Sequence, residues 1–129
     1  MPNSNSRRLL LVGDDRIRRE LGLILRERGF DVTGVASVPE ALDKTRTHNF
    51  DVVLADLNIH GPHDGYIVVR AMRNINPHCV AIILTGYPNL VNASEGVRLG
   101  IDEYFVKPAD VASLVARMEE KLAERRISP

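Results

Sequence analysis

The chain reads as a doubly wound α/β domain, a five-stranded parallel sheet with helices on both faces, and three observations predict it. Strand-length apolar runs alternate along the chain with segments whose apolar residues recur at helical spacing. Strands joined by helices need crossover connections, which make neighbouring strands parallel and the winding right-handed. Side chains able to do chemistry follow four of the runs: Asp14 and Asp15 the first, Asp56 the third, Thr85 the fourth and Lys107 the fifth. That carboxyl edge is where open α/β sheets place their sites.

The first strand is Leu9-Leu-Leu-Val12. Ile17, Leu21, Ile24 and Leu25 then share one helical face, and Gly29 stops that helix. Phe30 to Val35 is the second strand. Ser37-Val-Pro-Glu40 has the form of a capping box, in which the Ser oxygen and the Glu carboxylate satisfy first-turn amides and Pro39 is tolerated; the second helix runs to about Thr47. Asp51-Val-Val-Leu-Ala55 is a buried third strand with Asp56 at its end. Leu57 to Gly65 is dense in turn formers and is expected to be a loop over the site. A third helix follows from about Tyr66 to Asn74, broken at Asn76-Pro77 before the fourth strand, Val80 to Leu84. The fourth helix, Asn89 to Leu99, is the weakest, because Gly96 inside it costs roughly 1 kcal/mol against Ala; this fits either a mobile helix or mere poor propensity. Gly100 ends it. Tyr104-Phe-Val106 is the fifth strand, and Asp110 caps a last helix whose Val111, Leu114, Val115, Met118 and Leu122 repeat at helical spacing. The simplest order for this sheet is flavodoxin-like, 2-1-3-4-5. It makes strands one and three neighbours at the topological switch point, so that Asp14, Asp15 and Asp56 converge.

At 129 residues the chain fits one domain, expected over 7–125 between a flexible start at 1–6 and a flexible end at 126–129. Seventeen Lys and Arg balance seventeen Asp and Glu, so overall charge points to no direct contact with nucleic acid or an acidic membrane. The single Cys79 excludes an internal disulfide and fits a reducing compartment, and no apolar run is long enough to span a bilayer. The N-terminus lacks the order of a signal peptide, and the cytoplasm is the expected location.

Clustered carboxylates repel, and a hard divalent cation, Mg²⁺ above all, keeps them ionised. Beside such a cation Asp56 can act as a nucleophile on a phosphoryl group while the Thr85 hydroxyl and the Lys107 ammonium hold other oxygens, giving an aspartyl phosphate.

In these residues, the acids after strand one, Asp56 after strand three, Thr85-Gly86 after strand four and Lys107-Pro108 after strand five, the chain resembles the receiver domains of bacterial two-component response regulators over nearly its whole length. The resemblance implies that Asp56 is the phosphoacceptor and that Asp14, Asp15, Asp56 and the backbone carbonyl of Asn58 hold Mg²⁺. It further implies that Thr85 and Lys107 contact the phosphoryl oxygens, that Tyr104 is the switch aromatic, and that Asn58 and Tyr87 modulate dephosphorylation. It implies a cis Lys107-Pro108 bond as well. The donor would be a sensor histidine kinase or a histidine phosphotransfer protein. The output would be a change on the face of helix four, strand five and helix five, read by an effector or a second copy, with no released product of an enzyme. Two departures accompany it. Gly13 stands where the family usually has its first acid, ahead of a loop shorter by one residue. After Asp56 the usual proline is replaced by His60, with Pro62 two later and Gly65 displaced by one.

Each residue also has a plainer reading. Either acid after strand one, Asp15 before Asp14, is suited to capping the first helix. Thr85 is suited to a turn hydroxyl, Lys107 to a solvated amine, and Tyr104 to a strand aromatic with its hydroxyl at the surface. His60 and His63 read as solvated rather than as a metal pair, and Cys79 as a small apolar residue. Two other functions compete: a receiver-like interaction domain independent of phosphorylation, and an aspartyl-phosphate phosphatase. The phosphatase would want an acid two residues after its nucleophile, where Asn58 stands. Few aromatics near the rim disfavour a flavin site.

Overall fold

Residues 7–127 are described by the computed structural model; the stretch 1–6 and positions 128 and 129, both expected to be flexible, lie outside the described residues. Five strands, β1 (Arg8–Val12), β2 (Asp31–Val35), β3 (Val52–Asp56), β4 (Val80–Thr85) and β5 (Glu103–Val106), form one parallel sheet in the order β2-β1-β3-β4-β5. Five helices connect or follow them: α1 (Asp15–Glu27), α2 (Val38–Thr47), α3 (Asp64–Ile75), α4 (Ala93–Leu99) and α5 (Val111–Ile127). α5 continues past residue 125, where the domain was expected to end.

Alternation along the strands sorts the core into two layers. Leu10, Val12, Val53, Ala55, Ala81 and Ile83 pack under α2, α3 and α4, while Leu9, Leu11, Val52, Leu54, Ile82 and Leu84 pack under α1 and α5. Because β1, β3 and β4 are covered on both faces, they read as unbroken apolar runs.

Most ends follow local chemistry. Ser37 Oγ accepts from Glu40 N at 3.3 Å, one half of a capping box, while Glu40 Oε1 reaches one residue further back than the box requires and accepts from Ala36 N at 2.9 Å. Gly29, at φ 96°, closes α1 with Phe30 N bonded to Leu25 O and its own N–H to Arg26 O. This Schellman pattern occupies Phe30, so β2 starts at Asp31, one residue later than the sequence suggests. Asp110 accepts from Ser113 N at 3.2 Å and caps α5 as expected.

Two helix starts differ from the sequence reading. α3 begins at Asp64, not Tyr66, because the Asp64 carboxylate accepts from His60 N at 3.0 Å and Gly61 N at 2.7 Å and so draws the last two residues of the expected loop into the first helical turn. α4 begins at Ala93, not Asn89. Pro88–Leu90 instead forms a short 3-10 turn, and Asn92 is the residue that caps, its Oδ1 accepting from Glu95 N at 3.1 Å. At the opposite end of the sheet Asp102 accepts from Ala81 N at 2.8 Å and from Arg125 Nη2 at 2.6 Å, anchoring α5 to β4.

Candidate functional site

Parallel register brings the carboxyl ends of β1, β3, β4 and β5 to one rim: Val12 lies opposite Ala55, Asp56 opposite Leu84, and Thr85 opposite Val106. Asp56 is the last residue of β3 and only 4% exposed. Its Oδ1 has no hydrogen bond and faces the Lys107 ammonium at 3.3 Å, an ion pair without hydrogen-bond geometry. Burial pushes the Asp56 carboxyl above its ordinary value; the Lys107 charge opposes that rise and the Asp14 charge adds to it. A buried anion in this condition lacks donors of its own and favours any arriving positive charge.

The acids after β1 separate. Asp14 stands at the rim and caps α1, its Oδ1 accepting from Ile17 N at 2.9 Å. The expectation that Asp15 would be the capping acid is therefore corrected. Asp15 lies in the first turn, its side chain 79% exposed and paired with Arg18, so it does not join Asp56. The reason is helical geometry: one residue into the helix the side chain has rotated away from the strand ends. Gly13 donates its N–H to Val35 O, and a Cβ there would sit 3.1 Å from Asp56 Oδ2 and 3.1 Å from Ile17 Cγ2. The position is thus filled by the Asp56 carboxylate itself. Among the described residues no group of three or more His, Cys, Asp or Glu side chains is placed to hold a metal.

Thr85, 3% exposed, accepts from Tyr87 N at 3.0 Å through Oγ1, and Lys107 N donates to Thr85 O at 2.8 Å, so the hydroxyl and the amine are tied together by a backbone bond between the ends of β4 and β5. The Lys107-Pro108 bond is cis. Asn58 is exposed, its Oδ1 accepting from His63 N at 2.8 Å, and the Tyr87 ring is 64% exposed at the edge of the rim. A cleft of about 510 Å³ opens beside the site between α1 and the start of α5, with Asp14, Ile17, Glu20, Lys107 and Pro108 among its walls.

Tyr104 does not carry a surface hydroxyl. Its Oη lies 2.8 Å from Tyr66 Oη, and a Cβ added at Gly96 would come within 2.2 Å of it. Gly96 is therefore a place for an aromatic side chain rather than a sign of a loose helix. Two further residues were missed from sequence. Tyr66 carries no signal beyond lying on the buried face of α3. Gly65 packs its backbone on Asp56, a Cβ there falling 2.4 Å from the Asp56 carbonyl oxygen; a glycine closing a turn-rich stretch after β3 is a signal that it could have been found by.

A buried carboxylate at a sheet's carboxyl rim, with an acid, a hydroxyl and an amine beyond or at the ends of the strands around it, fits the class of phosphorylation-dependent signalling domains. The chain belongs to the response regulator receiver domain family, whose model matches residues 9–119. It is 35% identical over 118 residues to the acid tolerance regulatory protein ActR of Sinorhizobium medicae, covering 91% of this chain and 60% of that protein. It is 33% identical over 116 residues to the transcriptional regulatory protein ZraR of Escherichia coli K12, covering 88% and 26%. The chain thus spans a quarter to three fifths of these curated relatives. The CheY-like receiver domain protein of Methanospirillum hungatei superposes with a TM-score of 0.85 at 28% identity, covering 95% of this chain and 98% of that one. The receiver domain of sensor histidine kinase PA1611 of Pseudomonas aeruginosa, with magnesium in its active site cleft, shares the fold at a TM-score of 0.76 and 23% identity, covering 92% and 98%.

Proposed function

We propose that Asp56 takes a phosphoryl group from a phosphohistidine of a sensor histidine kinase or histidine phosphotransfer protein. The observation that carries the reading is the buried Asp56 carboxylate whose Oδ1 faces Lys107 at 3.3 Å without a hydrogen bond, at the rim shared with Thr85 and Asp14. An Asp56 oxygen attacks phosphorus, the new P–O bond replaces the N–P bond, and the departing electron pair stays on the imidazole nitrogen, which takes a proton from water. Lys107 and Thr85 receive the phosphoryl oxygens as charge develops on them. Mg²⁺, held by this site, would supply further neutralisation of that charge. The donor set suits it in part: the carboxylates of Asp14 and Asp56 with the Asn58 carbonyl are the ligands we assign, water completing the shell, while Asp15 on the surface is given no such role. The partner-reading surface is that of α4, β5 and α5, taken by a downstream effector or a second copy. The protein acts as a signalling domain, working in the cytoplasm; among the described residues no helix is long and apolar enough to cross a membrane. A phosphatase is disfavoured because Asn58 has no acidic proton to give and its side-chain oxygen is engaged by His63 N.

The test is incubation with Mg²⁺ and a small acyl-phosphate donor, followed by intact mass and mapping of the label. Label on Asp56 supports the reading; label on His48 or Ser94 removes it. For the cation, Asp14→Asn keeps a capping side chain while deleting the charge, and is expected to weaken Mg²⁺ binding at least about tenfold, with Asp15→Asn near the parent protein. Equal losses in a Mg²⁺ titration would place both acids at the cation. For the lifetime of the phosphoryl group, Tyr87 and Asn58 flank the approach of water. Tyr87→Ala is expected to speed decay after donor removal without altering Mg²⁺ affinity; identical decay rates would show that the exposed ring shields nothing.

A further inference from the structure

We infer that Tyr66 is the positioning residue of the Tyr104 side chain: its hydroxyl and the bare backbone of Gly96 form a seat that holds Tyr104 inward. The seat has three sides. Tyr66, 3% exposed, meets Tyr104 Oη at 2.8 Å. The Tyr66 oxygen also accepts from Asn92 N at 3.3 Å and lies 3.4 Å from Asn92 O, so a consistent run of donors goes from Tyr104 to Tyr66 to the Asn92 carbonyl. Asn92 is the cap of α4, and Gly96, one turn later, leaves the volume that the Tyr104 hydroxyl fills, since a Cβ there would stand 2.2 Å from Oη and 3.3 Å from Cζ. An Arg70 to Glu95 pair at 2.7 Å fastens the same two helices.

Tyr66 follows Gly65, whose N–H donates to Leu57 O at 2.8 Å and whose Cα packs on the Asp56 carbonyl. The start of α3 thus stands on the acceptor's own backbone, and any shift of that segment reaches Tyr104 and the cap of α4 through one phenol. This route is separate from Thr85, which lies on β4. Its signalling consequence rests on the reading of Asp56 as a phosphoacceptor, while the seat itself stands on the contacts of Tyr66, Asn92 and Gly96.

The chain contains three tyrosines, so labelling the full chain with 3-fluorotyrosine yields three ¹⁹F resonances, with that of Tyr104 assigned by its loss in Tyr104→Phe. The Tyr104 signal is expected apart from that of Tyr87, which is 64% exposed, and Tyr66→Phe is expected to move it toward the Tyr87 position. An unmoved Tyr104 resonance in Tyr66→Phe overturns the inference. Gly96→Ala is the steric counterpart. It should lower the unfolding midpoint, with most of the loss restored in Gly96→Ala combined with Tyr104→Phe, because the nearest atom is then Cζ at 3.3 Å in place of Oη at 2.2 Å. Equal losses in both backgrounds would also overturn it. Acyl-phosphate labelling of the parent protein tests the Asp56 reading alone, and the fluorine and unfolding results decide on Tyr66 whichever way that falls.

Discussion

Asp56→Asn is expected to abolish phosphoryl uptake completely while leaving the domain at least as stable as the parent. The loss is total because an amide has no anionic oxygen to attack phosphorus, and because Asp56 is the carboxylate that the rim buries beside Lys107. Stability should hold for a separate reason. Burial disfavours the Asp56 anion more than Lys107 favours it, so the folded protein carries a charge it would hold more easily in water. Asparagine has nearly the same shape without that charge, and Lys107, with a third of its side chain exposed, can turn to solvent. The check is paired: intact mass after acyl-phosphate treatment, and the urea midpoint of both proteins. Residual label would mean a second acceptor, and a clear drop in midpoint would mean that the ion pair outweighs its desolvation.

Gly65→Ala is expected to destabilise the domain strongly, although it adds a single methyl group. Helix propensity alone predicts a gain of at most roughly 1 kcal/mol, since Gly65 lies in the first turn of α3. Packing reverses the sign. The added Cβ would stand 2.4 Å from the Asp56 carbonyl oxygen and 3.1 Å from Leu57 Cα, both backbone atoms that cannot swing aside. α3 would have to lift from the end of β3, breaking the bond from Gly65 N to Leu57 O and displacing the loop after Asp56. We expect a loss of about 3 kcal/mol or more, lowering the melting temperature by roughly 10 °C. Gly22→Ala in α1 is the control, because its nearest neighbours are the end of the flexible Arg26 side chain at 3.3 Å and Leu11 Cδ2 at 3.6 Å. A melting temperature for Gly65→Ala equal to that of Gly22→Ala would show that α3 can shift without cost.

Much of the molecule follows from local rules. Buried strands on both faces require continuous apolar runs, and β1, β3 and β4 announce themselves that way. Capping residues mark helix ends wherever one side chain does the work, as Ser37, Gly29 and Asp110 do. Connection order then brings the ends of β1, β3, β4 and β5 together, so Asp56, Thr85, Lys107 and Asp14 were legible as one site from sequence alone. The family resemblance sharpened their roles without being needed to find them.

What the sequence could not decide were matters of direction and space. Asp14 and Asp15 are the same residue type in adjacent positions, and only the turn of α1 sends one to the rim and the other to Arg18 on the surface. The expected loop after Asp56 ends two residues early, Asp64 and Gly65 entering the first turn of α3, because Asp64 gathers the amides of His60 and Gly61, bonds that exist only once the chain has folded back. Gly96 read as a weakness in a helix and is instead the space for a tyrosine from a different strand. Periodicity and capping act within a few residues of the chain and are written in it. Which side chain fills which gap depends on contacts between segments far apart in sequence, Tyr66 with Tyr104 and Gly65 with Asp56, and these are decided by tertiary packing.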